Sequence, residues 1–537
     1  MTTATAVNIQ AAKPGSSAQS SEGRAARVGE RLTSELVIAL VGPLASGCTE
    51  TAKFIKTQME SDYSYEAKYY KVSSYISSNA KLVGLDDGGG LVGEARITHL
   101  QKVGDKLREQ FGNSYLTAKA VLEIAQARDA DGFEPDNDER DGKKIAKNRR
   151  MVHIIDSIKH PEELRLLQQT YGDIFWLIGV FAPLSVRESR FKRDFKTDVH
   201  PGEIFRADYS EEEDSGQKVR DVFHQADMFL RNDADNTQKL ENDIKRFLEL
   251  IFGKPVHTPT ADESFMYAAH AEAAKSACLS RQVGAAVVNA QGELIGLGRN
   301  DVPKYGGGLY SEDDAEHDKR CHAWLKKHCH NDDRKNLLYQ QIFKELTDAR
   351  LLTGGVSADL VTAAIKRTDA KSLIEYSRAV HAEMDAITAV ARSNKPGTLG
   401  GTLYSTTFPC HSCARHIVAS GIHRVIYIEP YPKSLATELH SDSVSENESD
   451  KGKRVLFLQF SGVAPKNILR LFGPPLTRKA ADGRMREFDR KTARPVVQVS
   501  LDDFPRHEWL VIQELTDNEK RVQGRVTPAT IPTAPVE

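Results

Sequence analysis

The chain has 537 residues, a formal net charge of −2 and a hydrophobic fraction of 40%. This length predicts two to four domains with substantial cores, and the near-zero net charge provides no general basic field for holding nucleic acid. Six cysteines are too few for a disulfide scaffold in a chain of this length, and no apolar run is long enough for a transmembrane helix.

The first segment, residues 1–32, is rich in Ala, Ser, Thr and Gly, which predicts a flexible tail. It lacks the charged start and apolar stretch of a secretory signal. Because we also expect the cysteines to be reduced, the sequence favours a cytoplasmic location without membrane attachment.

A phosphate-binding loop (P-loop) is predicted between an apolar run at residues 36–41 and a helical pattern that continues through Ile55. The candidate nucleotide-binding residues of this loop are Gly42, Pro43, Leu44, Ala45, Ser46, Gly47, Cys48 and Thr49. Thr49 would hold Mg²⁺ beside a nucleoside triphosphate, whereas Cys48 stands where the usual motif has lysine. We therefore expect nucleotide binding without efficient phosphoryl transfer. A tight turn with no ligand is the alternative.

Further apolar strands are predicted at 151–156, 175–181 and 226–232, before a helix around 240–252. Alternating strands and helices predict a parallel sheet with helices on both faces. We assign residues 33–253 to a nucleoside-kinase-like P-loop domain.

A linker at 254–262 separates this domain from a second α/β domain at 263–514, and a tail is expected at 515–537. Two strands at the start of the second domain form a predicted hairpin that ends at Gly298. An insertion follows at 304–379.

The second domain contains His381-Ala382-Glu383 and, later, Pro409-Cys410-His411-Ser412-Cys413. This H-x-E and P-C-x-x-C pair is the signature of zinc deaminases. His381, Cys410 and Cys413 would fill three tetrahedral positions on Zn²⁺ and leave the fourth for water, whose pKa the metal lowers. Glu383 is the predicted catalytic acid and base, because it is not itself a ligand.

The elements around these motifs predict that the ligands meet. His381 and Glu383 lie at the start of a helical pattern, residues 403–407 form a predicted strand, and a second helix begins at Cys410. A helix–strand–helix unit brings both helix starts to one point. The predicted fold is therefore a parallel-sheet P-loop domain followed by a cytidine-deaminase-like α/β/α domain.

Residues 278–303, 381–386 and 408–413 together resemble the deoxycytidylate (dCMP) deaminases. That family has a G-Y-N-x-x-P element, which Gly298 to Pro303 matches except at Arg299. In the family this Asn contacts the sugar, so Asn300 is a candidate substrate-binding residue together with Ala382. A structural turn is the alternative for Asn300.

The combination of a P-loop domain with such a deaminase domain resembles the bacterial anti-phage dCTP deaminases. This resemblance implies deamination of dCTP, dCMP or both to dUTP and dUMP, which would starve a phage of dCTP. It also implies a small inhibitory RNA as a partner, and we expect a homo-oligomer.

Some dCMP deaminases bind a second, structural zinc at the position of Cys278. Its further ligands would be Cys321, Cys329 and one histidine of the insertion, which contains His317, His322, His328 and His330. An exposed polar insertion without metal is the alternative.

Two other functions remain open at this point. The same zinc chemistry serves deaminases of RNA and single-stranded DNA. A nucleotide-sensing regulatory protein with a vestigial deaminase domain is the second alternative. The near-neutral charge and the Asn300 element argue against the first, and the intact zinc motifs argue against the second.

Overall fold

The structure is a computed structural model. It describes residues 31–134, 145–195, 202–209, 214–233, 237–324, 327–394, 397–431, 434–473, 477–501 and 503–523. Residues 1–30 of the predicted N-terminal tail and 524–537 of the predicted C-terminal tail lie outside these ranges.

The first unit alternates strands with helices. Its elements are β1 (Leu36–Val41), α1 (Cys48–Tyr63), β2 (Glu66–Lys71), α2 (Val72–Asn79), α3 (Gly93–Phe111), α4 (Tyr115–Ala130), β3 (Phe133–Glu134), β4 (Ile145–Ala146), β5 (Met151–Asp156), α5 (Pro161–Tyr171), β6 (Phe175–Phe181), α6 (Leu184–Phe195), α7 (Gly202–Tyr209), α8 (Val219–Phe223), β7 (Met228–Arg231) and α9 (Gln238–Ile251).

The main sheet of this unit has the order β7-β6-β1-β5-β2, and all of these strands are parallel. Central strand β1 is buried on both faces: Leu36 and Ile38 pack with α1 and α9, whereas Val37 and Ala39 pack with α4 and α5. Such two-sided burial explains the continuous apolar run in the sequence. The loop predicted to bind phosphate, called the P-loop below, follows the carboxyl end of β1 and precedes α1.

The second unit begins with α10, whose first turn is fixed by a capping box between Thr260 and Glu263. The elements from there to the C-terminus are α10 (Ala261–Ala273), β8 (Gly284–Val288), β9 (Leu294–Arg299), α11 (His330–Asp348), α12 (Ala358–Ile365), α13 (Ala382–Ala391), β10 (Thr402–Thr407), α14 (His411–Ala419), β11 (Arg424–Glu429), α15 (Ala436–Leu439), β12 (Val444–Ser445), β13 (Val455–Gln459), β14 (Gly462–Val463), α16 (Ile468–Phe472) and α17 (Asp503–Gln523).

The second sheet has the order β12-β13-β11-β10-β8-β9, with an antiparallel hairpin at one edge and parallel strands beyond β10. Residues Ala285 and Val287 of β8 face a core shared with α13 and α14. Residues Ala286 and Val288 face α10 and belong to a core that continues into the first unit. The mixed α/β fold class is therefore confirmed for both units.

The sequence did not reveal how the end of the chain returns to the first unit. Strand β14 pairs antiparallel with β7 and so extends the first sheet rather than the second. Helix α17 packs against α4 and α5. Residues 515–523, predicted to begin the C-terminal tail, are the end of this helix, so that prediction was wrong. Leu32, in the predicted N-terminal tail, bridges to Ser500.

No helix within the described ranges combines the length and the apolar character needed to cross a bilayer.

Candidate functional site

The predicted metal ligands come together at the starts of two helices. His381 is the N-cap residue of α13 and Cys410 is the N-cap residue of α14, with Cys413 one turn later. The Nδ1 atom of His381 lies 3.4 Å from the Cys410 sulfur and 3.3 Å from the Cys413 sulfur. Within the described ranges, these three residues form the only group of three or more His, Cys, Asp or Glu whose ligand atoms all lie within 4.8 Å of one another.

These distances fit one tetrahedral zinc ion. Zn–S bonds of about 2.3 Å and Zn–N bonds of about 2.1 Å at tetrahedral angles separate sulfur from nitrogen by about 3.6 Å. Hydrogen bonding to Cys413 and to His381 outweighs burial and lowers the pKa of Cys410 to about 4. The same pairing, together with burial, raises the pKa of Cys413. Zinc binding would release the remaining thiol proton.

Glu383 lies in the first turn of α13, beside this cluster. Its side chain is only 4% exposed. Ser405 of β10 donates a hydrogen bond to Oε1 (3.2 Å), and the Cys413 thiol donates one to Oε2 (3.3 Å). Burial and the charge of Cys410 raise the pKa of Glu383. The carboxyl group is thus placed to hold or release a proton next to the metal ligands.

Helix α13 is positioned by close packing on β9. A Cβ atom at Gly298 would lie 2.2 Å from the backbone nitrogen of Ala386 and 2.3 Å from the backbone oxygen of Ala382. Asp385 accepts a hydrogen bond from the backbone N–H of Arg299 (3.2 Å). The absence of a side chain at Gly298 therefore lets the strand support the start of α13 directly.

A cavity of about 250 Å³ opens beside the cluster and contacts His381, Glu383 and Cys410. The insertion forms part of its wall. The insertion residues that line it are Asn331, Lys335, Lys371, Leu373, Ile374, Ser377 and Ala379. Lys335 donates to the backbone oxygen of Lys371 (3.4 Å) and pairs with Asp332 (3.0 Å). Arg281 adds a third cation to the lining.

The two predicted substrate-binding residues both line this cavity. Ala382 is fully buried at the start of α13. The Asn300 amide is engaged by the protein itself: its Oδ1 accepts from the N–H of Val283 (2.7 Å), and its Nδ2 donates to the carbonyl of Arg281 (2.8 Å). Asn300 thus fixes the loop before β8. Arg299, which departs from the family pattern, pairs with Glu272 (2.8 Å).

The three cysteines predicted to bind a second zinc are neighbours. Their sulfur atoms do not all lie within 4.8 Å of one another, as the ligand atoms of His381, Cys410 and Cys413 do. Charge interactions link Cys321 to Cys278 and Cys329. Cys329 contacts the Ser280 hydroxyl at 3.9 Å. A second zinc at Cys278, Cys321 and Cys329 stays a prediction.

The P-loop lies in the first unit between β1 and α1. Gly47, with φ of 97°, is the N-cap residue of α1, and no side chain caps this helix. The Thr49 hydroxyl donates to Asp156 Oδ2 (2.7 Å), so the structure brings the predicted Mg²⁺ ligand to the acidic end of β5. Burial and Asp156 raise the pKa of the Cys48 thiol to about 12, which leaves this side chain uncharged.

Arg190 of α6 also reaches the loop that is predicted to bind phosphate. Its guanidinium lies 3.5 and 3.4 Å from the backbone oxygens of Ala45 and Ser46, and it also contacts Asn232. Arg193 lines the cavity beside the loop, whereas Arg187 lines a different cavity.

Comparison with known proteins assigns the second unit. Residues 259–429 match the family model described as "Cytidine and deoxycytidylate deaminase zinc-binding region". The deoxycytidylate deaminase of Enterobacteria phage T2 is 32% identical over 160 residues, which are 30% of this chain and 75% of the phage protein. The chain belongs to the deoxycytidylate deaminase family. Members of this family are zinc-dependent hydrolytic deaminases.

Two solved structures are also similar to this deaminase family member. The dCMP deaminase from cyanophage S-TIM5 in apo form is 16% identical, covers 38% of the chain and 100% of its own length, and gives a TM-score of 0.21. The shikimate kinase from Acinetobacter baumannii in complex with shikimate is 12% identical, covers 41% and 96%, and gives a TM-score of 0.23. Family membership rests on the sequence relatives.

Sequence reasoning missed several residues that line the two cavities. Lys335 and Lys371 lie in an insertion without a recognisable motif, so no spacing pointed to the deaminase cavity. Lys159 and Asp208 line the cavity beside the P-loop. The sequence feature that could have revealed Lys159 is its position three residues after Asp156, which ends a predicted strand.

Proposed function

We propose that this deaminase family member hydrolyses deoxycytidine nucleotides, dCTP and dCMP, to dUTP and dUMP with release of ammonia. The observation that carries the proposal is the His381, Cys410 and Cys413 cluster beside buried Glu383 at one cavity. Proteins similar to this chain in phage T2 and in Mus musculus, the latter 25% identical over 234 residues, are deoxycytidylate deaminases.

His381, Cys410 and Cys413 would hold the zinc ion. Bound there, the metal would supply a Lewis acid that lowers the pKa of water. Glu383 takes a proton from the attacking water at its carboxylate and passes it to N3 of the cytosine ring. It then takes the proton of the new hydroxyl at C4 and passes it to the departing 4-amino group. The C4–N bond breaks, a C4–O bond replaces it, and ammonia leaves.

Ser405 holds Glu383 in place for this proton transfer through its hydrogen bond to Oε1 (3.2 Å). The Cys413 thiol donates to the other oxygen, Oε2 (3.3 Å). A zinc-bound Cys413 would be a thiolate without this proton, which would leave Oε2 to exchange protons with substrate. The carboxyl group is only 4% exposed, so little of it contacts bulk water.

Charged groups at the cavity favour a phosphorylated substrate over a free nucleoside. Arg281, Lys335 and Lys371 line the wall, and ammonium and guanidinium groups bind phosphate oxygens. Asn331 also lines the cavity. Its Oδ1 is buried and has no hydrogen-bond partner among the described residues, so a rotation of the amide toward the cavity would present an acceptor to a sugar hydroxyl.

The test is ammonia release by the purified full chain from dCMP, dCTP, CTP and a cytosine-containing oligonucleotide. We expect turnover of dCTP or dCMP, and its loss by at least about 100-fold in Glu383→Ala with zinc content unchanged. Glu316→Gln, which changes an exposed carboxylate, is the matched control and should keep full activity.

Turnover of the oligonucleotide alone would replace this proposal with nucleic-acid editing. Near wild-type rates in Glu383→Ala would refute the role of this carboxylate. Absence of turnover on all four substrates by zinc-loaded protein would favour the regulatory alternative.

The proposal extends to phage defence by depletion of dCTP, since this conversion removes a DNA precursor. In cells that carry the protein, infection should lower the dCTP pool and the plaque count, and Glu383→Ala should abolish both effects. Equal protection by the two proteins would overturn this role. A homo-oligomer and an inhibitory RNA are compatible with the proposal but are not required by it.

We also propose that the P-loop binds a nucleotide and that this binding regulates the deaminase. Its support is the Thr49–Asp156 pair, the uncapped start of α1 and a cavity of about 790 Å³ beside them. Cys48 occupies the position of the usual phosphate-binding lysine, so the loop itself has no positive charge there.

A further inference from the structure

The cavity beside the P-loop contains more positive charge than the loop sequence suggests. It is about 790 Å³ in volume, and the cationic residues in its lining are Lys53, Lys71, Arg108, Lys159, Arg190 and Arg193. A loop of the ordinary sequence carries one lysine, directly before the Ser or Thr, that contacts the phosphates. Here that position is Cys48, so any such contact must come from another part of the chain.

Lys159 contacts the P-loop although it lies far from the loop in the sequence. It follows the acidic end of β5 and donates from Nζ to the backbone oxygen of Gly42 (3.0 Å), the first residue of the loop. Its side chain is 18% exposed. Among the cations that line the cavity, Lys159 thus has its ammonium group in direct hydrogen-bond contact with the beginning of the loop.

Asp208 fixes this arrangement. Its Oδ1 accepts from Lys159 Nζ (2.7 Å), and its Oδ2 accepts from the backbone N–H of Leu44 (2.5 Å). The carboxylate is 4% exposed and therefore joins α7, the lysine and the loop as one unit. An ammonium group has three N–H donors, and the bonds to Gly42 and Asp208 use two of them.

We infer that Lys159 replaces the missing P-loop lysine and that its third donor binds the phosphate chain of a Mg²⁺-bound nucleoside di- or triphosphate. Loop N–H groups at the start of α1 bind the same phosphates. Thr49 and Asp156 supply the hydroxyl and carboxylate oxygens that suit Mg²⁺. This inference rests on the nucleotide site proposed above and is independent of the deaminase reaction.

The experiment measures binding of ATP, ADP and inorganic tripolyphosphate, each with Mg²⁺, to the full chain by calorimetry. These three probes separate nucleotide recognition from phosphate recognition. We expect Lys159→Ala to weaken ATP binding roughly 10- to 100-fold, as for loss of a charged hydrogen bond. Lys56→Ala is the matched control, since Lys56 lies on α1 outside the cavity lining and pairs with Glu60.

A transplanted lysine distinguishes a phosphate contact from a structural role. In the double variant Cys48→Lys with Lys159→Ala, the lysine returns to the ordinary position, and we expect ATP affinity to recover by at least about 5-fold over Lys159→Ala. A merely structural role of Lys159 would not permit this rescue.

Three results would overturn the inference. They are wild-type protein that binds none of the three probes, ATP affinity in Lys159→Ala equal to that of wild type, and no recovery in the double variant. Because ATP is not a cytosine nucleotide, these measurements remain valid even if deamination of dCTP and dCMP fails its own test.

Discussion

Gly298 shows how one residue sets the position of the metal-binding helix. The strand and the helix approach so closely that an added Cβ would overlap backbone atoms of Ala382 and Ala386. Backbone atoms cannot rotate away as a side chain can, so a substitution must move α13 itself. His381 and Glu383, at the start of that helix, would move with it.

We therefore expect Gly298→Ala to lower deaminase turnover roughly 100-fold, as a displacement of about 1 Å does. We also expect it to lower the free energy of unfolding by about 1–3 kcal/mol through overpacking. Turnover of dCTP, zinc content and chemical denaturation measure these effects. Gly354→Ala is the control, because a Cβ there meets nothing within 4 Å. Wild-type turnover in Gly298→Ala would contradict the packing argument.

The sequence predicts the positions of some site residues in the structure better than those of others. The metal ligands and Glu383 could be placed because zinc chemistry demands fixed residue types at fixed spacing, and this spacing survives any change in the rest of the fold. Asn300 was predicted to bind substrate and does line the cavity, but its amide is used by the loop around Val283. No local pattern reveals such a competing partner. Lys159 was missed for the same reason, since its contact with Gly42 spans 117 residues.

Among the elements, the insertion adds the most to the deaminase cavity. Helix α11 carries Asn331 and Lys335 to the cavity wall, and the segment after α12 carries Lys371. These side chains come from outside the helix–strand–helix unit that holds the metal ligands. The insertion thus provides groups that contact the substrate phosphates under the function proposed here.

Replacement of both lysines should reveal this contribution. In Lys335→Ala with Lys371→Ala, we expect the KM for dCTP to rise roughly 10-fold while kcat changes little, because ground-state phosphate binding is lost. The KM for unphosphorylated deoxycytidine should stay unchanged. Steady-state ammonia release with both substrates measures this difference.

Lys366→Ala provides the control, since this exposed lysine ends α12 in the same insertion and does not line the cavity. If the KM values for dCTP and deoxycytidine rose equally in the double variant, the lysines would shape the wall without contacting phosphate.

Long elements were predictable and short or polar ones were not. Strands β1, β5, β6 and β11 are mainly apolar runs, which makes them recognisable in the sequence. Strand β10 is more polar, but its position before the P-C-x-x-C motif indicates it. Strand β14 has only two residues, Gly462 and Val463, which is too few for a periodic signal. The end of α17 has no apolar periodicity after Leu515, so the sequence did not predict it as helix. Polar contacts of Glu519 with Lys119 and with the Tyr115 hydroxyl attach it to α4 instead.

At the scale of the whole molecule, the C-terminal helix closes the first unit after the chain has completed the second. Glu508 of α17 pairs with Arg128 of α4 through two hydrogen bonds of 3.0 Å each. Arg128 also contacts Glu35, which precedes β1 (2.6 Å). Burial opposes ionisation of Glu35, but Arg128 and its neighbours outweigh burial and hold the pKa of Glu35 well below its usual range.

This ion network makes the first unit depend on a residue 380 positions away in the sequence. A buried charge that loses its partner is costly, so the removal of one carboxylate weakens the unit more than the loss of a surface pair does. The core on the same face of the sheet continues through α10 into the second unit. A weakened C-terminal helix therefore affects the part of the molecule that joins the P-loop unit to the deaminase unit.

We expect Glu508→Gln to lower the free energy of unfolding by about 3–5 kcal/mol, because Arg128 then keeps only Glu35 as an anionic partner. Denaturant titration of the full chain measures this loss. Glu514→Gln changes an exposed carboxylate on the same helix and should alter the unfolding free energy by less than about 0.5 kcal/mol. If the two variants were equally stable, α17 would be held by its apolar face alone, and the ion network would contribute nothing to the attachment of the C-terminus.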